Sequence, residues 1–210
     1  MMSETRETFD NFFGGAAYDM IGRLSGYGQE YYRKAAEALP VRPGMTLLDL
    51  GCGTASLSLA LASRMKGEGR IVGIDLAKRQ LERARSKVGG SPVPIELRHG
   101  SVRELPFESD SIDGICMSQV LHGLPEDVLT ACLAESARVL RQGGFFGLVE
   151  WSRPRFGYTA LVWGATLLAA RDTHNWRGTY QELFGTFGFD LLTDVRLDSL
   201  NRCQVFVKQR

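Results

Sequence analysis

The sequence has little of what marks an exported, membrane-spanning or nucleic-acid-coating protein. Its 210 residues carry 25 basic and 24 acidic side chains, a formal net charge of +1. Such a balance gives no broad positive field of the kind that binding to phosphate backbones or anionic lipid calls for. There are only four cysteines, Cys52, Cys116, Cys132 and Cys203, far apart and with no C-x-x-C pair. They do not read as a disulfide framework or a thiolate metal site, but as buried thiols in a reducing compartment. The N-terminal "MMSETRETFDNFF" lacks the apolar core of a signal peptide. The longest apolar helical candidate, "LVWGATLLAA", is about half of what a bilayer span requires. The expectation is a cytoplasmic protein with no metal, no nucleic-acid partner and no stable membrane insertion. Repeats and low-complexity segments are absent as well.

What is present is an ordinary globular composition, 44% hydrophobic and 23% charged, long enough for one core, so residues 1–210 are read as a single domain. From Thr46 onward, short apolar runs rich in β-formers alternate with amphipathic helical stretches, the pattern of a doubly wound α/β sheet. Strands are expected near Thr46–Leu50, Arg70–Asp75, Ile95–Arg98, Ile112–Met117 and Gly144–Glu150, and helices near Leu57–Met65, Lys78–Val88 and Asp127–Val139. "GLPEDV" opens the last helix and "RQGG" is expected to stop it. Residues 1–44 and 151–188 fall outside this rhythm and read as a helical lid and a helical cover. The chain closes with "DLLTDVRLDSLNRCQVFVKQR", two β-rich runs joined by a turn-like "DSLN", as in an antiparallel hairpin.

In such sheets the site lies beyond the carboxyl ends of the strands. After the first strand, "LLDLGCGTASLSLA" supplies Asp49, Gly51, Cys52 and Gly53. A dinucleotide fingerprint needs a third glycine where Ser56 stands, and Asp49 would repel a pyrophosphate while complementing an ammonium group. After the second strand come Asp75, 22 residues past Gly53, and Leu76. A carboxylate there can accept both hydroxyls of a ribose. Ser101 and Val102 follow the third strand, and Ser118, Gln119 and His122 follow the fourth.

The segments "LLDLGCGTA", "IVGIDLA", "HGSVRELPFESDSID", "SQVLHGLP" and "RVLRQGGFFGLVEWSRP", in this order and spacing, resemble the class I S-adenosylmethionine-dependent methyltransferases. Within that class the chain is most similar to the ubiquinone/menaquinone biosynthesis C-methyltransferases, "AAYDMIGRLSGYG" matching their N-terminal Tyr-Asp segment. The resemblance implies S-adenosylmethionine as cofactor and strand order 3-2-1-4-5-7-6 with strand 7 antiparallel. Ala55 replaces the third turn glycine, which restricts positive φ. Ser101 stands where the family places an Asp or Asn against the adenine amine, and the Asn, His and Trp after the Tyr-Asp pair are missing.

Methyl transfer from a sulfonium needs alignment and exclusion of water more than catalytic side chains. His122 is the candidate base toward a phenol or enol; its bland alternative is a loop histidine that packs or caps the next helix. Tyr18 is a candidate for substrate or cofactor contact with Asp19 beside it, or else ordinary lid packing. His174 and Trp176 are acceptor candidates or parts of an exposed loop. Trp151, Trp163, Phe156 and Tyr158 are an aromatic acceptor pocket or simply core. "KRQLERARSK" reads as a solvated helix face. The expected partner is a small aromatic or lipid-like acceptor, methylated on carbon or oxygen rather than nitrogen, and a homodimer is compatible with this reading. A non-catalytic cofactor-binding module is the alternative, and an NAD(P)-dependent reductase the third possibility, disfavoured by Ser56, Asp49 and the terminal hairpin.

Overall fold

The run Thr46–Leu50 is apolar except for Asp49 and ends at two closely spaced glycines, so it has to be covered on both faces and turn sharply at its end. The computed structural model describes residues 16–169 and 180–209 and realises that requirement. Its elements run α1 Ala16–Leu24, α2 Gln29–Ala38, β1 Thr46–Leu50, α3 Ser56–Arg64, β2 Arg70–Asp75, α4 Lys78–Val88, β3 Ile95–His99, β4 Ile112–Ser118, a 3-10 turn Leu121–Gly123, α5 Glu126–Val139, β5 Leu140–Trp151, α6 Tyr158–Ala169, α7 Tyr180–Gly185, β6 Phe189–Arg196 and β7 Asn201–Lys208.

The seven strands form one sheet in the order β3-β2-β1-β4-β5-β7-β6. The first five are mutually parallel, whereas β7 pairs antiparallel with both β5 and β6. This is the order and polarity expected, and the terminal hairpin is present. Strand order reverses between β1 and β4, the position at which open α/β sheets bind their ligands.

Each face of the sheet carries its own apolar layer. On one, Tyr31, Ala35 and Leu39 of α2 and Leu57 and Leu61 of α3 pack on Leu47, Phe145 and Val149. On the other, Leu129, Cys132 and Leu133 of α5 and Phe184 of α7 pack on Leu48, Ile115 and Phe146. Phe184 stacks on Phe206 at 4.0 Å, which seats the hairpin against this second layer. All four cysteines are buried free thiols, and burial pushes each of them up in pKa.

Two local expectations are corrected. Helix α5 ends at Val139 as expected, but "RQGG" is not what stops it: Leu140 turns extended and already pairs with Ile112. The "RQGG" residues instead form an irregularity between Leu140 and Phe145 that brings β5 back into register with Gly114. Helix α4 is not simply a solvated face either. Gln80, Leu81 and Ala84 are buried, and Arg83 and Lys87 reach across to α1, as described below.

Candidate cofactor and acceptor site

The turn after β1 owes its shape to its glycines. Gly51 has φ +70 and Gly53 φ +51, a region that costs most L-residues about 1–2 kcal/mol. Ala55 also sits there, at φ 61, despite its Cβ. The restriction expected from the missing third glycine is therefore carried as local strain and not avoided. A Cβ on Gly51 would strike the Val120 side chain, so the segment between β4 and the 3-10 turn is packed directly on the glycine turn.

Two carboxylates flank this turn in different states. Asp49 is 1% exposed, accepts from the Ser58 hydroxyl of α3, and is pushed up to about 7 by burial, with the Asp75 charge adding to the effect. It lies beneath the turn, not on its surface. Asp75 accepts from the Gly53 amide and the Ala77 amide, both at 2.7 Å, so the carboxylate at the end of β2 is fixed against the turn. Leu76 beside it is 38% exposed.

Other expected residues are placed less directly. Cys52 turns beneath the loop, its sulfur occupying the space left by the missing Cβ of Gly73. Val102 points into the core, so what it offers a ligand is main chain. Ser101 Oγ accepts from the Arg103 amide at 3.2 Å. At the end of β4, the Ser118 hydroxyl and the Gln119 carbonyl oxygen are buried without a hydrogen-bond partner. Gln119 has φ +58, which throws its side chain toward α2 and β7, where Nε2 donates to Tyr31 Oη at 2.9 Å and to Asn201 Oδ1 at 2.7 Å.

His122 stands on the 3-10 turn that follows. Its Nδ1 is 2.8 Å from Glu150 Oε1, and its ring stacks on Trp151 at 4.4 Å. Glu150 is fully buried and also accepts from the main-chain amides of Trp151 at 2.9 Å and His122 at 3.3 Å. Since a carboxylate only accepts, the proton of a neutral imidazole sits on Nδ1 and the lone pair on Nε2.

Around this pair lies an aromatic wall. Trp151 Nε1 donates to Tyr27 Oη at 2.8 Å, and Tyr27 packs edge-on to Tyr31 and Trp163. Trp163 donates to the Ser25 carbonyl. Burial raises both the Tyr27 and Tyr31 phenols, so they stay neutral. Trp151 and Trp163 are thus brought together, but Phe156 is fully exposed and Tyr158, 63% exposed, donates to the Leu24 carbonyl. These last two do not belong to the wall. His174, Trp176 and the Tyr18 side chain lie outside the described residues.

Beside Tyr18, Asp19 on α1 accepts from Thr54 Oγ1 at 2.7 Å and pairs with Arg83 at 3.1 Å and Lys87 at 3.4 Å. Lys87 also donates to Thr54 and Ser56. One acid thus ties α1, the glycine turn and α4 together. Sequence reasoning missed Glu150, Tyr27, Tyr31 and Asn201 as parts of the site. For Glu150 a signal existed: an acid closing the apolar strand "GFFGLVE" needs a buried partner.

A methyltransferase-domain family model matches residues 47–144. The chain is 34% identical over 153 residues to a demethylmenaquinone methyltransferase of Desulfitobacterium hafniense, covering 71% of this chain and 59% of that one. It is 32% identical over 176 residues to the demethylmenaquinone methyltransferase of Symbiobacterium thermophilum, covering 80% and 68%. The chain thus spans less than two thirds of the first relative's length. Among solved structures, the methyltransferase in complex with the Haloferax volcanii Trm112 methyltransferase activator has the same fold, with TM-score 0.75 at 20% identity over 98% of this chain and 97% of that one.

Proposed function

This chain belongs to the class I S-adenosylmethionine-dependent methyltransferases, and from that premise we propose that it methylates a small aromatic or lipid-like acceptor at a carbon or oxygen activated by His122. The observation that carries this reading is the buried Glu150 held 2.8 Å from His122 Nδ1.

The residues present fit the cofactor. Two glycines at positive φ leave the turn open to close approach. The unpartnered Ser118 hydroxyl and Gln119 carbonyl are buried acceptors at the adjoining strand end, suited to a ligand bearing an ammonium group. Gly51 and Gly53 with Asp49 would hold the methionine end, Asp75 and Leu76 the ribose, and Ser101 with the Val102 main chain the adenine. A pyrophosphate on the turn would meet Asp75 with the Asp49 carboxyl buried beneath it, which counts against the NAD(P) alternative. When bound, S-adenosylmethionine supplies an electrophilic methyl group on a sulfonium.

The chain's own part is proton handling and enclosure. Glu150 fixes the tautomer that leaves Nε2 basic, and the Trp151 ring fixes the plane of the imidazole. Nε2 then takes the proton from an acceptor hydroxyl or enol, raising the electron density of the atom to be methylated. Tyr27, Trp151 and Trp163 form a neutral aromatic surface suited to a planar acceptor and hostile to water. Helices α1 and α6 with the Tyr27 segment, described parts of the lid and cover, complete the enclosure of a single domain. The demethylmenaquinone methyltransferase relatives favour a quinol-like acceptor, whose ring carbon beside a hydroxyl meets these requirements.

Turnover of methyl-labelled cofactor across a panel of naphthols, hydroquinones and catechols tests the reading. His122→Asn should lower kcat by roughly 10²–10⁴-fold with S-adenosylhomocysteine affinity unchanged, and Glu150→Gln by roughly 10–100-fold. Cofactor binding without turnover on any acceptor would instead leave the non-catalytic module. Tight NADH binding would overturn the assignment.

A further inference from the structure

We propose that the outer surface of α1 and α6 docks on an anionic lipid bilayer. Six of the nine large apolar side chains that stand exposed among the described residues belong to these two helices and the loop before α6: Met20, Leu24, Phe156, Tyr158, Leu161 and Val162. They form one surface. Tyr158 donates to the Leu24 carbonyl at 2.8 Å and Trp163 to that of Ser25 at 3.2 Å, so the end of α1 lies against the first turns of α6. Met20 is one turn from Leu24, and Leu161 and Val162 are one turn from Tyr158.

Such a surface is costly to leave in water. Helix α6, "YTALVWGATLLA", contains no charged residue, and a helix apolar all round is ordinarily covered on every side. Here the inward side chain Trp163 packs on Tyr27 and Trp151, while Leu161 is 79% and Phe156 fully exposed. Among the described residues, no helix is long and apolar enough to cross a membrane, so the surface can lie on a bilayer and not span it.

Charge selects the partner. From Trp151 to Ala169 the sequence has two arginines, Arg153 and Arg155, and no acid, and both are exposed beside Phe156. Arg23 stands exposed next to Leu24, and the acid on α1, Asp19, is already paired with Arg83 and Lys87. The acids that contact these helices are both engaged, Asp19 as above and Asp198 with the Thr159 hydroxyl and the Leu200 and Asn201 amides, so an apolar face rimmed by Arg23, Arg153 and Arg155 matches the headgroup boundary of an anionic membrane. A net charge of +1 for the chain conceals this local excess. The inference bears on the lipid-like arm of the acceptor reading, because α6 carries Trp163 of the aromatic wall on its inner side. It does not depend on turnover.

The test is co-sedimentation of the full chain with vesicles of phosphatidylglycerol and phosphatidylcholine, against pure phosphatidylcholine, without cofactor or acceptor. Binding to the anionic vesicles is expected, with the partition coefficient falling about thirtyfold for Arg153→Gln/Arg155→Gln and binding lost for Phe156→Ser/Leu161→Ser. Thermal melts equal to wild type verify that these surface variants fold. No vesicle binding, or binding indifferent to both variants, overturns the proposal. Sedimentation as a dimer that Phe156→Ser/Leu161→Ser turns into a monomer, with no vesicle binding, overturns it in favour of a second copy of this chain. Vesicle binding with no methyl transfer to any acceptor would leave this inference standing and sink only the catalytic one.

Discussion

Asp75 Oδ2 accepts a hydrogen bond from the Gly53 amide at 2.7 Å, tying the carboxylate that ends β2 to the turn that ends β1. The residue proposed to hold the ribose therefore also shapes the loop. Asp75→Ala should weaken S-adenosylhomocysteine binding by roughly 1.5–3 kcal/mol, the scale of a hydrogen bond to a charged group, and should also lower the melting temperature. Calorimetric titration beside a thermal melt measures the two effects. Unchanged affinity in a folded variant would remove Asp75 from the cofactor site.

Gly51 and Gly53 are expected to respond differently to the same added methyl. At Gly53 the new Cβ would find only Gln80 Oε1, at 3.8 Å, so Gly53→Ala carries just the positive-φ cost of about 1–2 kcal/mol. At Gly51 it would also strike Val120, adding roughly 1–3 kcal/mol of overpacking. Denaturant midpoints should rank Gly51→Ala below Gly53→Ala, and Val120→Ala should recover part of the Gly51→Ala loss. Equal midpoints would mean that Val120 does not press on the turn.

Asp49 is expected to couple cofactor affinity to pH. Its folded pKa, about 7, lies above the ordinary value of 3.8 because the group is buried. Its contribution to stability is thus fully present below about pH 4 and lost as pH rises to 7, up to about 4 kcal/mol in all. A cationic ammonium near Asp49 favours the ionised form, so below pH 7 cofactor binding must expel a proton. Affinity for S-adenosylhomocysteine should fall as pH drops from 8 to 5, and heats measured in buffers of different ionisation enthalpy should report that release. Asp49→Asn should flatten the profile; a slope that survives it assigns the proton elsewhere.

Asp19 fastens α1 to the glycine turn and α4. Burial works to raise its pKa, but the Thr54 hydroxyl, the Lys87 charge and Arg83 outweigh it and hold the carboxyl below 3.8. The contribution of Asp19 is therefore present above that value and lost in acid. Asp19→Ala should cost about 1–2 kcal/mol and speed hydrogen exchange across Ala16–Leu24 while leaving the amides of β1 protected. Exchange of α1 as slow as in wild type would mean that other contacts hold the helix.

Much of this architecture is written locally in the chain. The five parallel strands, their crossover helices and the terminal hairpin follow from apolar periodicity and Gly/Pro punctuation, each set by neighbours within a few residues. For the same reason Asp49, Gly51, Gly53 and Asp75 could be placed at strand ends from sequence alone. Spacing within a turn does not, however, say which way a side chain faces. Cys52 and Val102 turned inward because Gly73 left a space beneath the loop and because the second apolar layer had room for a valine. The remaining decisions are non-local. His122 meets Glu150 across 28 residues, Gln119 meets Tyr31 across 88, and Asp19 meets Lys87 across 68. Each pair forms because sheet order sets the ends of distant elements side by side, and because a buried polar group with no water to turn to must find its partner there.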